Sequence, residues 1–338
     1  MVFFRTAASI RFPVLVLLGA YAGGAGASGF ALTEQNASGL GNAYAGQAAS
    51  AQDASTVFFN PAGLTHLQGN QFVLVGNLLY PSAKFQDNGG SGVAAALQSN
   101  KGGNGGDAGD LIPVPDFYYA RDITPDLKFG LGLNSPFGLS TNYDMNWVGR
   151  FQALKSDLKT VDINPSLGFK VRDGVSLGVG LNAMRIDAKL TSMVSYSAAI
   201  AGATGGTVLM PNLSGASRMS GGDWGWGYNL GALFDVSPVT RIGLAYRSRV
   251  NMKLDGSLSF DNVPITGNAP LDAGLAATFG NGPASARLTL PDSFSASVFR
   301  KMNERVDLLA DASWTHWGLF KELKIDRANG SNVIVTDN

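Results

Sequence analysis

Two histidines, His66 and His316, are the side chains of this 338-residue chain best suited to act as bases at neutral pH, and a hydrolase would need one beside a nucleophile. Neither has a serine and an acid grouped around it: His66 lies in a stretch of small residues, and His316 stands between Trp314 and Trp317. There is no cysteine, which excludes a thiol nucleophile, a disulfide framework and a thiolate metal site. The glycines 102, 103, 105 and 106 lack the lysine and hydroxyl of a phosphate loop and read as a flexible loop. No catalytic residue, metal or cofactor is expected. Binding chemistry is another matter. Arg247, Arg249 and Lys253 recur at alternate positions and could hold an anionic group, although ion pairs with Asp235 and Asp255 would use them equally well.

These cations sit in a long alternating segment. Ile242, Leu244, Tyr246, Val250, Met252, Leu254, Leu258 and Phe260 share one parity of residues 241–260 and the charged residues the other. Successive side chains of a strand leave opposite faces, so one face needs an apolar medium. The segment runs well past the five or six residues usual in soluble strands, and a lipid-facing wall explains the length. Residues 223–236 repeat the pattern, with Trp224, Trp226 and Tyr228 gathered at one end as an interfacial girdle. In residues 175–190 the apolar phase slips from Val175, Leu177, Val179, Leu181 and Ala183 to Ile186, Ala188 and Leu190, which predicts a β-bulge near Met184 or Arg185. Helical spacing in Trp147, Val148, Phe151, Leu154 and Leu158 predicts an amphipathic helix in an external loop, with Trp147, Phe151 and Leu154 as candidates to gather apolar molecules.

The first 27 residues read as a cleaved export signal, with Arg5 and Arg11 leading the apolar run 14–20 and small residues at 25–27. Without that leader the acidic residues slightly outnumber the basic ones, so nothing favours nucleic acid. Short turns at 122–126, 172–174, 236–239 and 301–305 alternate with long segments at 82–115, 141–158, 195–220 and 261–284, the layout of an outer-membrane barrel with brief periplasmic turns. The expected fold is therefore all-β: a transmembrane antiparallel β-barrel. About nine strands are counted from Gln71, an odd number for a closing barrel, so the chain reads as C-terminally truncated.

The runs Ser28-Gly29-Phe30-Ala31-Leu32, Gly39-Leu40-Gly41-Asn42-Ala43-Tyr44-Ala45-Gly46, Asn60-Pro61-Ala62-Gly63-Leu64, Gly222-Asp223-Trp224-Gly225-Trp226-Gly227-Tyr228-Asn229, Leu244-Ala245-Tyr246-Arg247-Ser248 and Leu290-Pro291-Asp292 resemble, in order, the FadL family (OMPP1/FadL/TodX) of outer-membrane transporters of hydrophobic compounds. The resemblance implies roughly fourteen strands around an N-terminal hatch, here residues 28–70, with the partial barrel at 71–338. It implies Asn60, Pro61 and Ala62 as the hatch motif, which can also serve as a turn into the first strand. It further implies lateral release at a kinked third strand, where Ser135, Pro136, Phe137 and Gly138 interrupt pairing because proline cannot donate to a ladder; a proline at the strand's end is the plainer alternative. The expected protein is a monomer of the bacterial outer membrane that meets lipid, lipopolysaccharide and hydrophobic small molecules, most of all long-chain fatty acids. The family's headgroup arginine falls near Thr191 and Ser192 here, which leaves room for neutral aromatic hydrocarbons or alkanes. A structural or adhesive barrel without transport is the further alternative.

Overall fold

The computed structural model describes residues 29–89, 93–320, 322–327, 330 and 332–337, so the leader, residues 1–27, lies outside them. Fourteen strand segments form one antiparallel sheet: β1 Gln71–Leu79, β2 Ile112–Asp122, β3 Leu127–Asn134, β4 Gly138–Asn142, β5 Lys155–Arg172, β6 Val175–Ser195, β7 Ser214–Ser237, β8 Thr240–Arg247, β9 Val250–Phe260, β10 Gly282–Leu290, β11 Ser293–Lys301, β12 Asp307–Thr315, β13 Glu322–Arg327 and β14 Asn332–Asp337. Several segments are halves of one interrupted stave. Both β3 and β4 pair with β5, and both β8 and β9 with β7; β11 and β10 continue that pattern, and so do β12 and β13. The segments thus make ten staves, β14 included, one more than the count of about nine read from the alternation. β1 and β14 stand at opposite ends of the strand order. No helix among the described residues is long and apolar enough to cross a membrane.

β7 shows what the two faces do. Trp224, Trp226, Tyr228 and Leu230 are exposed on the convex side, with Trp226 72% exposed, while Gly225, Asn229, Gly231 and Leu233 are buried inward. From Trp224 to Phe234 is about the ten tilted residues that a strand needs to cross a bilayer. β7 has 24 residues, far more than that, so its upper part stands above the lipid. This height replaces the predicted bulge in β6. The ladders to β5 and β7 run through Met184 and Arg185 without a shift. From the top of the girdle upward, starting level with Trp224, the outward positions become Arg185, Asp187 and Lys189, and the apolar residues Met184 and Ile186 are fully buried inside. The medium changes with height; the strand does not.

A true bulge lies elsewhere. The β7 register moves by one residue between Asn229↔Arg247 on β8 and Gly222↔Asp255 on β9, around Ser248 and Arg249. Ile242, Leu244 and Tyr246 therefore face outward on β8, whereas Val250, Met252, Leu254 and Leu258 are buried inward on β9. The partner stave reverses in step at Pro291-Asp292, since Leu290 is buried opposite Val250 and the inward Ser293 opposite Arg247. Arg247 faces inward as its parity predicts. Arg249 and Lys253 do not: the extra residue turns both outward and corrects that reading.

Residues 30–68 pack on the concave side as an irregular insert of single-turn helices, Gln47–Ser50 and Thr56–Phe59, and 3-10 turns, Leu40–Asn42 and Pro61–His66. Asn60 starts the last of these by accepting from Ala62 N at 3.0 Å, an N-cap. Its amide also donates to Ala48 O (2.6 Å) and, across to the wall, Ala232 O (3.1 Å). The wall meets this motif with glycine. Gly168, Gly178 and Gly231 stand side by side on β5, β6 and β7, and a Cβ on Gly178 would lie 2.2 Å from Ala62 N, on Gly231 2.0 Å from Asn60 Oδ1. A side chain at Gly168 or Gly178 would displace backbone, and one at Gly231 would displace the hydrogen-bonded Asn60 amide. Gly178→Val is therefore expected to unseat the insert: chymotrypsin should cleave at Phe58 and Phe59 at least about tenfold faster, and conductance in planar bilayers should rise, at a cost typical of overpacking, about 1–3 kcal/mol.

Candidate functional site

The third stave is broken. Asn134 of β3 pairs with Asp162, but Gly138 of β4 pairs with Lys159, so the register slips by one across Ser135, Pro136 and Phe137. On the other side β2 is paired to β3 only from Phe117↔Leu133 downward, and its residues 112–116 find no partner on β4. Pro113 and Pro115 stand in that unpaired stretch, where a missing donor costs nothing. Sequence reasoning placed the break from Pro136 but overlooked these two prolines, which mark the facing edge of the opening.

The chain's own N-terminal segment fills the break. Leu32 N donates to Pro136 O (2.9 Å), Gly138 N to Phe30 O (2.9 Å), and Ala31 makes a single antiparallel bridge with Phe137. Gln35 Nε2 donates to Ser135 O at 3.0 Å, and Thr160 Oγ1 accepts from Phe137 N (3.0 Å). Gly138 allows the approach, since a Cβ there would touch Leu32 Cδ1 at 3.0 Å. Two cavities meet at this point. One of about 360 Å³ lies in the lumen beside the insert, and another of about 300 Å³ opens in the wall between β2 and β4; Leu32 and Phe137 line both. These two side chains form the septum between lumen and wall cleft.

Above the septum the lumen is apolar. Phe137, Met184, Ile186, Val250, Met252, Leu254, Leu288 and Leu290 form one buried cluster, and Phe30 is its aromatic hub, with ring centroids 5.8 Å from Phe137, 5.1 Å from Trp317 and 5.6 Å from Phe320. Below it the lumen is polar. Arg247 Nη1 pairs with Asp162 Oδ2 at 3.2 Å, donates through Nη2 to Phe58 O (3.0 Å), and lies 4.3 Å from the Phe58 ring centroid. Asn182 donates to the same Asp162 oxygen (2.6 Å), while Asn164 donates to Asn229 Oδ1 (2.9 Å). The arginine is thus already bound, to the wall on one side and to the insert on the other. Its acid partner was not foreseen, because Asp162 comes from a strand 85 residues earlier.

The loop candidates are arranged differently from expectation. Residues 145–152 form turns and not an amphipathic helix, and β5 begins at Lys155. Trp147 and Leu154 are buried, with Tyr143 stacked on Trp147 at 4.0 Å, and Phe151 is half-buried under the Arg150 guanidinium. The turn closes because Arg150 gathers carbonyls: Trp147 O (2.8 Å), Lys101 O (2.9 Å) and Asn100 O (2.5 Å). The glycine run also packs here, since at Gly102, with φ +95°, a Cβ would lie 2.7 Å from the Trp147 carbonyl carbon. The helical spacing therefore reflects apolar residues covering one another.

Both histidines meet carboxylates, His66 Nε2 at 3.4 Å from Asp235 and His316 Nδ1 at 3.3 Å from Asp292. Burial pulls the His66 imidazole below its ordinary pKa, against the attraction of Asp235. No cluster of metal ligands occurs among the described residues.

A family model described as "Outer membrane protein transport protein (OMPP1/FadL/TodX)" matches residues 18–338. Among curated relatives, the "Long-chain fatty acid transport protein" of Escherichia coli O6:H1 is 28% identical over 328 residues, 92% of this chain and 70% of its own length. Among solved structures, a Pseudomonas aeruginosa FadL homologue superposes with a TM-score of 0.77 at 24% identity, covering 91% of this chain and 74% of that one. The Ralstonia pickettii toluene transporter TbuX superposes with a TM-score of 0.58 at 20% identity, covering 84% and 74%.

Two measurements test the site's electrostatics. Arg247→Ala strands the buried Asp162 carboxylate and is expected to cost about 3–5 kcal/mol, whereas Asp162→Asn with Arg247→Met should recover most of it, read as unfolding midpoints in urea. For His66 the docked insert favours the neutral ring, so a released insert binds a proton more readily. Docking should therefore hold above about pH 6.5 and weaken as pH falls below it. Cleavage at Phe58 and Phe59, expressed relative to that of an unstructured substrate at the same pH, should be faster at pH 5.5 than at 7.5, and His66→Gln should flatten the dependence.

Proposed function

Because the chain belongs to the OMPP1/FadL/TodX family of outer-membrane transport proteins for hydrophobic compounds, we propose that it is a passive conduit for long-chain fatty acids with a lateral exit. The observation that carries the route is the septum: Leu32 and Phe137 alone of the N-terminal segment and the strand break line both the lumen cavity and the wall cleft. Cargo is gathered by apolar side chains exposed on the external loops, such as Met145, Leu209 and Ile265. It enters the apolar upper lumen and displaces Phe30 from its aromatic hub. Losing Phe30 breaks the bridges to Pro136 and Gly138, withdraws Leu32, and joins the two cavities. The cargo then leaves between β2 and β4 into hydrocarbon, where an acyl chain gains about 0.8 kcal/mol per buried methylene. Rearrangement of the insert below requires the Arg247 and Asn60 contacts to yield. No nucleotide or ion gradient enters this scheme.

Fatty acid as cargo is supported by the relative that bears that name. Neutral hydrocarbons are the second reading, and one observation favours them. Arg247 is held by Asp162 and Phe58, and Arg249 and Lys253 point outward, so the three arginine and lysine candidates are not waiting for a carboxylate. Palmitate and its methyl ester separate the readings: a carboxylate site should bind the acid at least about tenfold more tightly, an increment of about 1.4 kcal/mol, and equal affinity would remove any role for the basic residues in holding a headgroup. For the route, Leu32→Ala should raise basal leak of apolar solutes from the lumen into vesicle lipid. Pro136→Ala tests the break itself. Restored pairing of β4 with unchanged uptake would rule out lateral exit there.

A further inference from the structure

On the outer wall, just where the membrane should end, positive charges face one another across strands. Lys253 of β9 and Arg287 of β10 are direct antiparallel partners, both exposed on the convex side. Like charges so placed repel, and Asp255 reaches only the lysine of the pair, at 3.2 Å. The height is set by the aromatic ring. Arg185 is the cross-strand partner of Trp224, and Lys253 lies two residues below Asp255, the partner of Gly222, which puts it level with Trp224. Asp223 confirms the level by accepting from Lys253 N at 2.9 Å.

Around this pair cations outnumber acids. Arg185, Lys189, Arg249, Lys253 and Arg287 share the outward face with Asp187 and Asp255, and Asp223 turns its carboxylate onto the amides of Trp224 and Lys253. Arg185 is paired with Asp187 (2.8 Å) and Lys253 with Asp255 (3.2 Å). Arg249, Arg287 and Lys189 have no carboxylate within ion-pair distance among the described residues. It is the bulge at Ser248-Arg249 that presents Arg249 and Lys253 here; with unbroken parity both would face the lumen. The surface lies at the outer-leaflet headgroups, where the abundant anion is a sugar phosphate carried on acyl chains, and the exposed rings of Trp224 and Trp226 beneath it suit those chains.

We propose that the outward face of β6, β9 and β10 at the upper aromatic ring, centred on Lys253 and Arg287, binds the phosphate of an outer-leaflet glycolipid. The assignment rests on the outer-membrane location and not on the cargo or its route. Each lysine or arginine near an anionic headgroup contributes roughly a factor of five to affinity, so removing two is expected to lower it at least about tenfold.

The test titrates the intact, detergent-purified protein with bisphosphorylated lipid A and with the same lipid stripped of phosphate, followed by native mass spectrometry. The wild-type protein should prefer the phosphorylated lipid at least about tenfold. Lys253→Gln with Arg287→Gln should reduce that preference to within about twofold, while heat-modifiable gel mobility reports an intact barrel. Lys301→Gln, at the opposite rim, should leave the preference unchanged. Equal binding of the two lipids by the wild-type protein, or a preference that survives the double substitution, would overturn the proposal. So would complete displacement of the lipid by equimolar inorganic phosphate, which would make this a free-anion site. Uptake of apolar solutes, measured in parallel, is expected to be the same in every variant, so the lipid site and the conduit stand or fall separately.

Discussion

The close approach of two backbones governs this molecule. Where Asn60, Pro61 and Ala62 lie against Gly168, Gly178 and Gly231, the separation leaves no room for even a methyl group. Three neighbouring staves are bare at the same height, and the insert rests on them with its capped turn, tied by the amide of Asn60 to Ala232 O. Its position fixes much else. Phe58 O sits where Arg247 reaches it, Gln35 meets Ser135 and Asn134, and Phe30 arrives among Phe137, Trp317 and Phe320. The seat below thus sets the septum above, through hydrogen bonds and not through a continuous element of structure.

A second constraint is that each tall strand passes through two media. Within the lipid band the convex face must be apolar and the concave face can bind the polar insert; above the band the demands exchange. β6 meets the exchange with composition, placing Arg185 and Asp187 outside and Met184 and Ile186 inside along an unshifted ladder. The staves β8/β9 and β10/β11 meet it with geometry. One added residue in each turns an outward apolar parity inward, and because both add it at the same level their mutual register survives. The flanking ladders record the step, by one residue against β7 and by three between β11/β12 and β10/β13.

These solutions explain what the sequence made legible. Strand number, turn lengths, the girdle and the break at Pro136 follow from local signals: parity, proline and loop length. The direction of a face depends on the neighbouring strand, and there local reasoning misled. A phase slip at Met184 looked like a bulge but was a change of surroundings, whereas unbroken alternation through Ser248 concealed a real one. Arg249 and Lys253 were misplaced for that reason. The loop at Trp147 failed differently, since three- and four-residue spacing is equally well satisfied by a turn knotted around Arg150. Asp162 could not be paired with Arg247 in advance, as nothing in the chain announces that β5 faces β8 across the lumen.

An unpaired strand edge in a wall is ordinarily an invitation, because exposed amides and carbonyls recruit any extended peptide that drifts by. The stretch of β2 beside the cleft withholds half of that invitation. With Pro113 and Pro115 in place of two donors, a foreign strand that tried to zip onto this edge would find its carbonyls unanswered at alternate rungs. The aperture is thus a slot that passes greasy solutes yet resists being stitched shut by protein, whether from a neighbouring barrel or from an unfolded chain arriving in the same membrane.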